Sequence, residues 1–381
     1  MTPAVTVLGS AGGGNLGDVA VLRAVVAEVR RIRPDARIRV PAPDPALAAR
    51  LWPGVEGVPT GRFRFFTPPV LRAASGSSAV LTTAGIFFDQ QLWNFRISFV
   101  SSIAPLARVL RARRVPVVGF NVGIAPPTRR LGRALYRAAL GAHEAVWLRD
   151  PADRRVLEAL GLAGGARDGA DTAFLLPEPD PAPLEAWLGE RGLAGRPLVG
   201  VNLNRFGGRF QPGAGPVDPD ALADAALAGA AAAARRAGAA LLLVPTAGKD
   251  EPYLAAAAGR LGAAAGAAAL LPARDLDLTR AALGRCRAAL GMRMHSLVFA
   301  AAAGVPVAGI EYHPKVRGLL DRLGLAAGSI PLAAVTRERV EQAVGTLLDR
   351  CDAARAALAP RVAALREAAR GASGTLAGLL A

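Results

Sequence analysis

Short apolar runs alternate with segments of helical spacing along nearly the whole chain. In the first half, Val5–Leu8, Ile38–Val40, Ala79–Leu81, Val115–Phe120 and Ala145–Leu148 predict strands. Between the first two, Leu22, Val25, Val26, Val29 and Ile32 recur at helical spacing, and Pro34 ends the run. Pro177–Pro197 interrupts the alternation with five prolines. Strand patterns resume at Leu198–Val201, Ala239–Val244, Ala268–Leu271, Ala288–Leu290 and Val305–Gly309, and the chain is helical in pattern from Arg337 on. Repeated βα units build parallel sheets with ligands at the carboxyl ends of their strands. The expected architecture is therefore α/β, two Rossmann-like domains facing across a cleft. The first spans residues 1–180, a linker 181–197, and the second, with C-terminal helices, 198–381.

Composition changes this picture in two ways. Hydrophobic residues make up 52% of the 381, but much of that is Ala, as in Ala230–Ala234. The formal net charge is +16, and only Lys249 and Lys315 among the 46 basic residues are not Arg. Such an excess favours anionic partners: phosphorylated substrates, acidic glycans or an anionic membrane surface. Nucleic acid is disfavoured, because the arginines are scattered and aromatics are only 5%. Cys286 and Cys351 fit no metal-binding spacing and read as reduced, buried thiols. The opening residues lack a basic segment and a long apolar run, and Arg235 and Arg236 break the longest apolar stretch, Ala225–Val244. The expectation is a cytoplasmic protein that is neither secreted nor membrane-spanning.

Two segments carry candidate chemistry. Gly9–Asp18 follows the first strand and contains G-x-G-x-x-G at Gly12, Gly14 and Gly17. Asp35 precedes the second strand and Asp44 lies beyond it, so the acidic ribose ligand of a dinucleotide site is missing; no Lys-Ser/Thr pair makes a P-loop. Asp18 at a helix amino terminus opposes a second anion there, leaving Asn15 and Asp18 suited to a neutral polyol such as a sugar; an ordinary helix cap explains Asp18 equally well. The second segment, Gly291–Lys315, runs strand, loop, helix, strand, loop. Arg293 and His295 leave the carboxyl end of a strand, where a guanidinium fork fits phosphate or carboxylate. Of the three histidines, His295 has the company of a site, His143 reads as structural, and His313 lies either beside Lys315 in the cleft or in a solvated loop.

Six motifs come in the order seen in polysaccharide pyruvyl transferases, a family the chain resembles from Val5 to Leu325. They are Gly14-Asn-Leu-Gly-Asp18, Thr83-Ala-Gly-Ile-Phe-Phe-Asp89, Gly119-Phe-Asn-Val-Gly-Ile-Ala-Pro126, Val146-Trp-Leu-Arg-Asp150, Met292-Arg-Met-His-Ser296 and Val305–Lys315. The resemblance implies a glycosyltransferase-B-like fold and transfer of pyruvate from phosphoenolpyruvate to a sugar as a ketal, with release of phosphate. It implies that Arg293 and His295 bind or activate the donor, and its Arg-Asp pair matches Arg149 and Asp150; the chemistry of the reaction then puts Arg149, Arg293 and Lys315 on the anion, with Arg205 a weaker contributor and His295 as proton donor or phosphate ligand. The acceptor, a sugar, glycan or lipid-linked glycan, would meet Asn15, Asp18, Asp89 and Asn121. His295, Arg293 and Asp18 would be catalytic, and no cofactor or metal is implied. The chain departs from the family pattern at Ala84, at Ala125 and at Asn202-Leu-Asn-Arg205, which opens a changed acceptor. The alternatives are a nucleotide-sugar glycosyltransferase of the same fold, with Glu311 as the candidate ligand of the ribose or base, a diverged member acting on a small metabolite or natural-product intermediate, and a basic scaffold without catalysis.

Overall fold

The computed structural model describes residues 2–95, 98–205, 217–273 and 275–381. The chain divides into two compact units, Met1–Gly13 with Asp18–Leu176 and Leu365–Ala381, and Gly14–Gly17 with Pro177–Ala364. Seven parallel strands form the sheet of the first unit: β1 (Ala4–Leu8), β2 (Arg37–Ala42), β3 (Glu56–Pro59), β4 (Ala79–Thr83), β5 (Val117–Val122), β6 (Ala145–Leu148) and β7 (Ala166–Asp168). Their order is β3-β2-β1-β4-β5-β6-β7. The second sheet has β8 (Leu198–Asn202), β9 (Ala240–Leu243), β10 (Ala268–Leu270), β11 (Ala288–Gly291), β12 (Val307–Glu311) and β13 (Ser329–Pro331), in the order β10-β9-β8-β11-β12-β13. Each unit is Rossmann-like: the strand order reverses between β1 and β4, and again between β8 and β11.

Central strands β1, β4, β5, β8 and β9 are buried at every position, as expected of parallel strands covered on both faces. Three strands lie outside the sequence expectation: β3, β7 and β13. Each has three or four residues, carries polar or proline positions, and sits at a sheet edge, where the apolar run that betrays a central strand is not needed. The alanines of helix Pro219–Arg236 serve close packing. A Cβ on its Gly229 would come within 2.8 Å of Val340 Cβ in helix Arg337–Asp349, so only small residues allow this approach. No described helix is long and apolar enough to cross a membrane.

Residues 181–197, read as linker, hold the helix Ala182–Gly189, which buries Leu184 and Leu188 and whose Glu185 pairs with Arg285 at 3.0 Å. The apolar spacing of two leucines was masked by the surrounding prolines. The end of helix Cys351–Leu380 also differs from expectation, for Leu365–Ala381 belongs to the first unit. There Ser373 Oγ donates to buried Glu28 at 2.6 Å, Trp147 Nε1 donates to Thr375 Oγ1 at 3.0 Å, and Gly371 lies flat against the Trp147 ring.

Gly371 and Gly374 share one helix but not one environment: a Cβ at 371 collides with Trp147, whereas 374 faces open space. Gly371→Ala should lower the melting temperature by several degrees, and Gly374→Ala should raise stability by about 0.5–1 kcal/mol, both read by thermal unfolding. His143 offers a pH test. Its ring nitrogens engage Thr82 Oγ1 at 2.9 Å and the Ala139 carbonyl at 2.8 Å, and burial pushes its pKa down to about 4. Its contribution to stability is full above the ordinary value near 6.5 and is lost as pH falls through 4. Wild type should therefore lose more stability than His143→Gln over that interval in denaturant titrations.

Candidate functional site

At the carboxyl edge of the first sheet, Arg149 follows β6 and its N–H donates to the Val122 carbonyl at 2.9 Å. The side chain, 14% exposed, lies over two glycines. A Cβ on Gly85 would stand 3.3 Å from Nη2, and one on Gly123 would stand 2.9 Å from Cζ. Gly123 is thus a cradle that any side chain would fill. Asp171 Oδ2 lies 3.8 Å from Nη1. Asp153 Oδ2 accepts from Ile124 N–H at 2.8 Å; burial raises its carboxyl to about 6, against the pull of that bond and of Arg149. Ala84, where relatives usually carry glycine, keeps the left-handed backbone at φ +67, and its carbonyl accepts from Gly123 N–H at 3.1 Å. The departure in sequence therefore leaves the turn intact, at a strain of about 1 kcal/mol.

Two acceptor residues of the sequence reading are structural. Asp89 is wholly buried, and its carboxylate accepts from Thr128 N–H at 2.7 Å, Thr128 Oγ1 at 2.9 Å and Arg129 N–H at 2.9 Å. It pins the start of helix Arg130–Leu140 and offers no surface to a sugar. Asn121, 1% exposed at φ +51, donates to Thr172 Oγ1 at 3.2 Å and to the Ala369 carbonyl at 2.9 Å, which docks the C-terminal helix. Asp18 is half-buried in the first turn of helix Leu16–Ile32.

In the second unit the edge is organised by Asn202 at the end of β8. Its Oδ1 accepts from Arg293 N–H at 3.0 Å and Ser296 Oγ at 3.2 Å, while Nδ2 donates to the Val244 carbonyl at 2.8 Å. Asn202 so clasps the ends of β8, β9 and β11, and this departure from the family pattern is internal, not part of an acceptor surface. Arg293 is 8% exposed and its fork grips buried Asp250 in a bidentate pair, Nη2 to Oδ1 at 2.7 Å and Nε to Oδ2. The anion that Arg293 was expected to bind is therefore, in this structure, a carboxylate of the chain itself.

His295 stands in the first turn of helix Met294–Ala302, its ring 6.0 Å from that of Phe299 and packed directly on Gly17, where a Cβ would strike the imidazole. Asn15 also belongs to this unit: it bridges to Ala247, its Oδ1 caps Gly17 N–H at 3.1 Å, and Leu16 N–H donates to the Thr246 carbonyl at 2.9 Å. Gly14–Gly17 is thus ordered by the second unit, with Asn15 acting as helix cap. His313 caps helix Pro314–Leu323, its Nδ1 accepting from Lys315 N–H at 3.2 Å, which requires a bare Nδ1. Lys315 Nζ lies 5.5 Å over the buried Tyr312 ring. Arg205 is outlying: 68% exposed, it pairs with Asp220 at 3.6 Å. Glu311 accepts from Ser329 Oγ and lies 3.6 Å from Arg317.

The sequence reading missed Asp250, Asp153 and Asp171. All three follow strands in short turns, and the signal for each was a carboxylate at a carboxyl edge facing an arginine that was itself singled out.

Solved structures share this architecture at low identity. A UDP-GlcNAc 2-epimerase from Neisseria meningitidis matches with a TM-score of 0.65 and 9% identity over 98% of this chain and 99% of that one. The Anabaena HepE protein, in complex with UDP and glucose, matches with 0.62 and 14% over 100% and 99%. The N-terminal domain of Candida albicans trehalose-6-phosphate phosphatase matches with 0.60 and 10% over 100% and 97%. These likenesses establish the fold, of the glycosyltransferase-B type. A search of curated protein sequences finds no match. The model of the polysaccharide pyruvyl transferase family matches residues 15–314, which takes in Asn15, both arginine-bearing edges and His295, and the chain belongs to that family of transferases.

Proposed function

We propose that the protein transfers pyruvate from phosphoenolpyruvate to two hydroxyls of a sugar or glycan acceptor as a ketal, releasing phosphate, without a cofactor. The family membership over residues 15–314 carries this reading. In the balanced reaction a proton adds to the methylene carbon, one hydroxyl adds to the central carbon, phosphate leaves with the C–O bond electrons, and the second hydroxyl closes the ketal. Each hydroxyl gives up its proton as it adds. The chemistry needs a proton donor at carbon, cations for carboxylate and phosphate, and orientation of a diol.

His295 suits the donor role because its ring is wedged between Gly17 and Phe299 and cannot wander. Lys315, at the amino terminus of helix Pro314–Leu323, has the charge and the helix dipole for phosphate. Arg149 has the same value for an anion over the bare backbone of Gly85 and Gly123. Arg293 acts through its pair with Asp250, which fixes the loop bearing His295. Asp18 keeps its assignment as acceptor ligand. We place the reaction in the cytoplasm, at the inner face of the membrane if the acceptor is lipid-linked.

A nucleotide-sugar glycosyltransferase is the competing reading, favoured by the likeness to a protein holding UDP and glucose. Glu311, its candidate ligand for the ribose or base, is engaged by Ser329 and Arg317, which weighs against it. The two separate on product: incubation with phosphoenolpyruvate and a sugar diol should release inorganic phosphate, and incubation with a sugar nucleotide should release no nucleoside diphosphate. The opposite outcome would replace the proposal.

Arg149→Ala should remove one charge-assisted contact, about 1.5–3 kcal/mol, and lower kcat/KM for phosphoenolpyruvate roughly 10- to 150-fold. His295→Gln should lower kcat at saturating donor; unchanged turnover there would remove His295 as proton source. Arg293→Ala and Asp250→Ala should each cost about 3–5 kcal/mol of stability, and the double variant less than their sum. Additive losses in denaturant melts would mean the pair is not coupled.

A further inference from the structure

Five large apolar side chains are exposed among the described residues: Phe63, Phe66, Trp93, Phe95 and Leu131. All five belong to the first unit. They lie on three connections that leave the carboxyl edge of its sheet: 60–67 after β3, 84–95 after β4, and the first turn of helix Arg130–Leu140 after β5. The first two connections touch, since the Phe63 and Phe95 rings stand 5.4 Å apart. A turn bond from Phe66 N–H to the Phe63 carbonyl, 2.9 Å, keeps Phe66 beside them. The third is tied to the second by Asp89, which holds Thr128 and Arg129.

Exposure here is not looseness. The same region holds a buried aromatic layer: Phe65 and Phe99 at 5.6 Å, with Arg64 Cζ 3.9 Å over the Phe99 ring. Phe88 meets Phe99 edge-on at 6.0 Å. The loops are thus anchored by buried rings while Phe63, at 49% exposure, and Trp93, at 70%, stay in solvent. Soluble surfaces rarely gather such groups without a partner.

Charge indicates which partner. Arg62, Arg129, Arg130 and Arg133 are exposed on the same connections. Residues 60–67 and 126–137 contain no carboxylate, and the only one in 84–95 is Asp89, buried and fully hydrogen-bonded. Phe and Trp among arginines, with no exposed acid, is the chemistry of a surface that enters the headgroup and acyl boundary of an anionic bilayer. We infer that this face of the first unit docks the protein onto membranes rich in anionic lipid. The inference rests on exposure and charge alone and stands whether or not the pyruvyl-transfer reading holds.

Flotation of the full-length protein with vesicles tests it. Wild type should float with an equimolar mixture of phosphatidylcholine and phosphatidylglycerol, less so as salt rises, and not with phosphatidylcholine alone. The triple variant Phe63→Ser, Trp93→Ser, Phe95→Ser should bind the mixed vesicles at least about tenfold more weakly with an unchanged melting temperature. Arg129→Gln with Arg130→Gln should weaken binding several-fold. Brominated lipid should quench fluorescence of wild type, and Trp93→Phe should remove that quenched component. Failure of wild type to float would overturn the proposal. So would equal flotation of the aromatic variant, which would assign binding to scattered charge. A wild-type dimer made monomeric by the same variant, without vesicle binding, would assign the face to a second copy of the chain.

Discussion

A guanidinium taken out of water must meet a carboxylate or an equal set of acceptors, and the edge of the second unit is built around that requirement. Arg293 is nearly buried because its backbone N–H is fixed by Asn202, directly at the end of β8. Once there, its side chain requires Asp250, which is itself 1% exposed. The pair joins the turn after β9 to the turn after β11, across the strand between them. Ser296 and the first turn of the helix bearing His295 hang from the same Asn202. Removal of either charge would strand the other, a penalty of several kcal/mol, so the geometry around His295 depends on this one contact.

The first unit meets the same requirement with a different set of groups. Arg149 is also largely buried, with Asp171 at 3.8 Å, Asp153 acting on it electrostatically, and the bare backbone of Gly85 and Gly123 beneath its fork. The bidentate pair with Asp250 makes Arg293 the residue that holds a loop, whereas Arg149 lies over the glycine cradle of Gly85 and Gly123.

Both outcomes show what the sequence carried. The central strands were legible because a parallel strand buried on both faces is mostly apolar, as Val117–Val122 and Leu198–Asn202 are apart from Asn121 and Asn202. Edge strands such as Ala166–Asp168 escaped for the converse reason. Arg293 and His295 were found because a strand end delivers them to the carboxyl edge of their sheet, and Arg149 because it stands in a family motif. Their carboxylate partners were not, since pairing is a property of neighbouring strands, and strand order is not written in spacing. Asn121 and Asp89 were placed by motif at an acceptor, but a motif records that a residue matters without saying whether it touches ligand or backbone. Each satisfies buried hydrogen bonds that hold a helix in place.

The arginine excess can now be read by location. Many arginines are engaged within the units, as Arg31 is with Glu28, Arg260 with Asp224, and Arg285 with Glu185. The exposed pairs among these add little stability, and all of them cancel charge where they occur. On the aromatic loops of the first unit the cancellation stops, because the acids are absent and the one carboxylate present is turned inward to Thr128. A net charge of +16 spread evenly would only raise nonspecific affinity for anions. Left uncancelled on the connections that carry Phe63, Trp93 and Phe95, the same charge acquires a direction, and it is the coincidence of the two that makes a surface out of a composition.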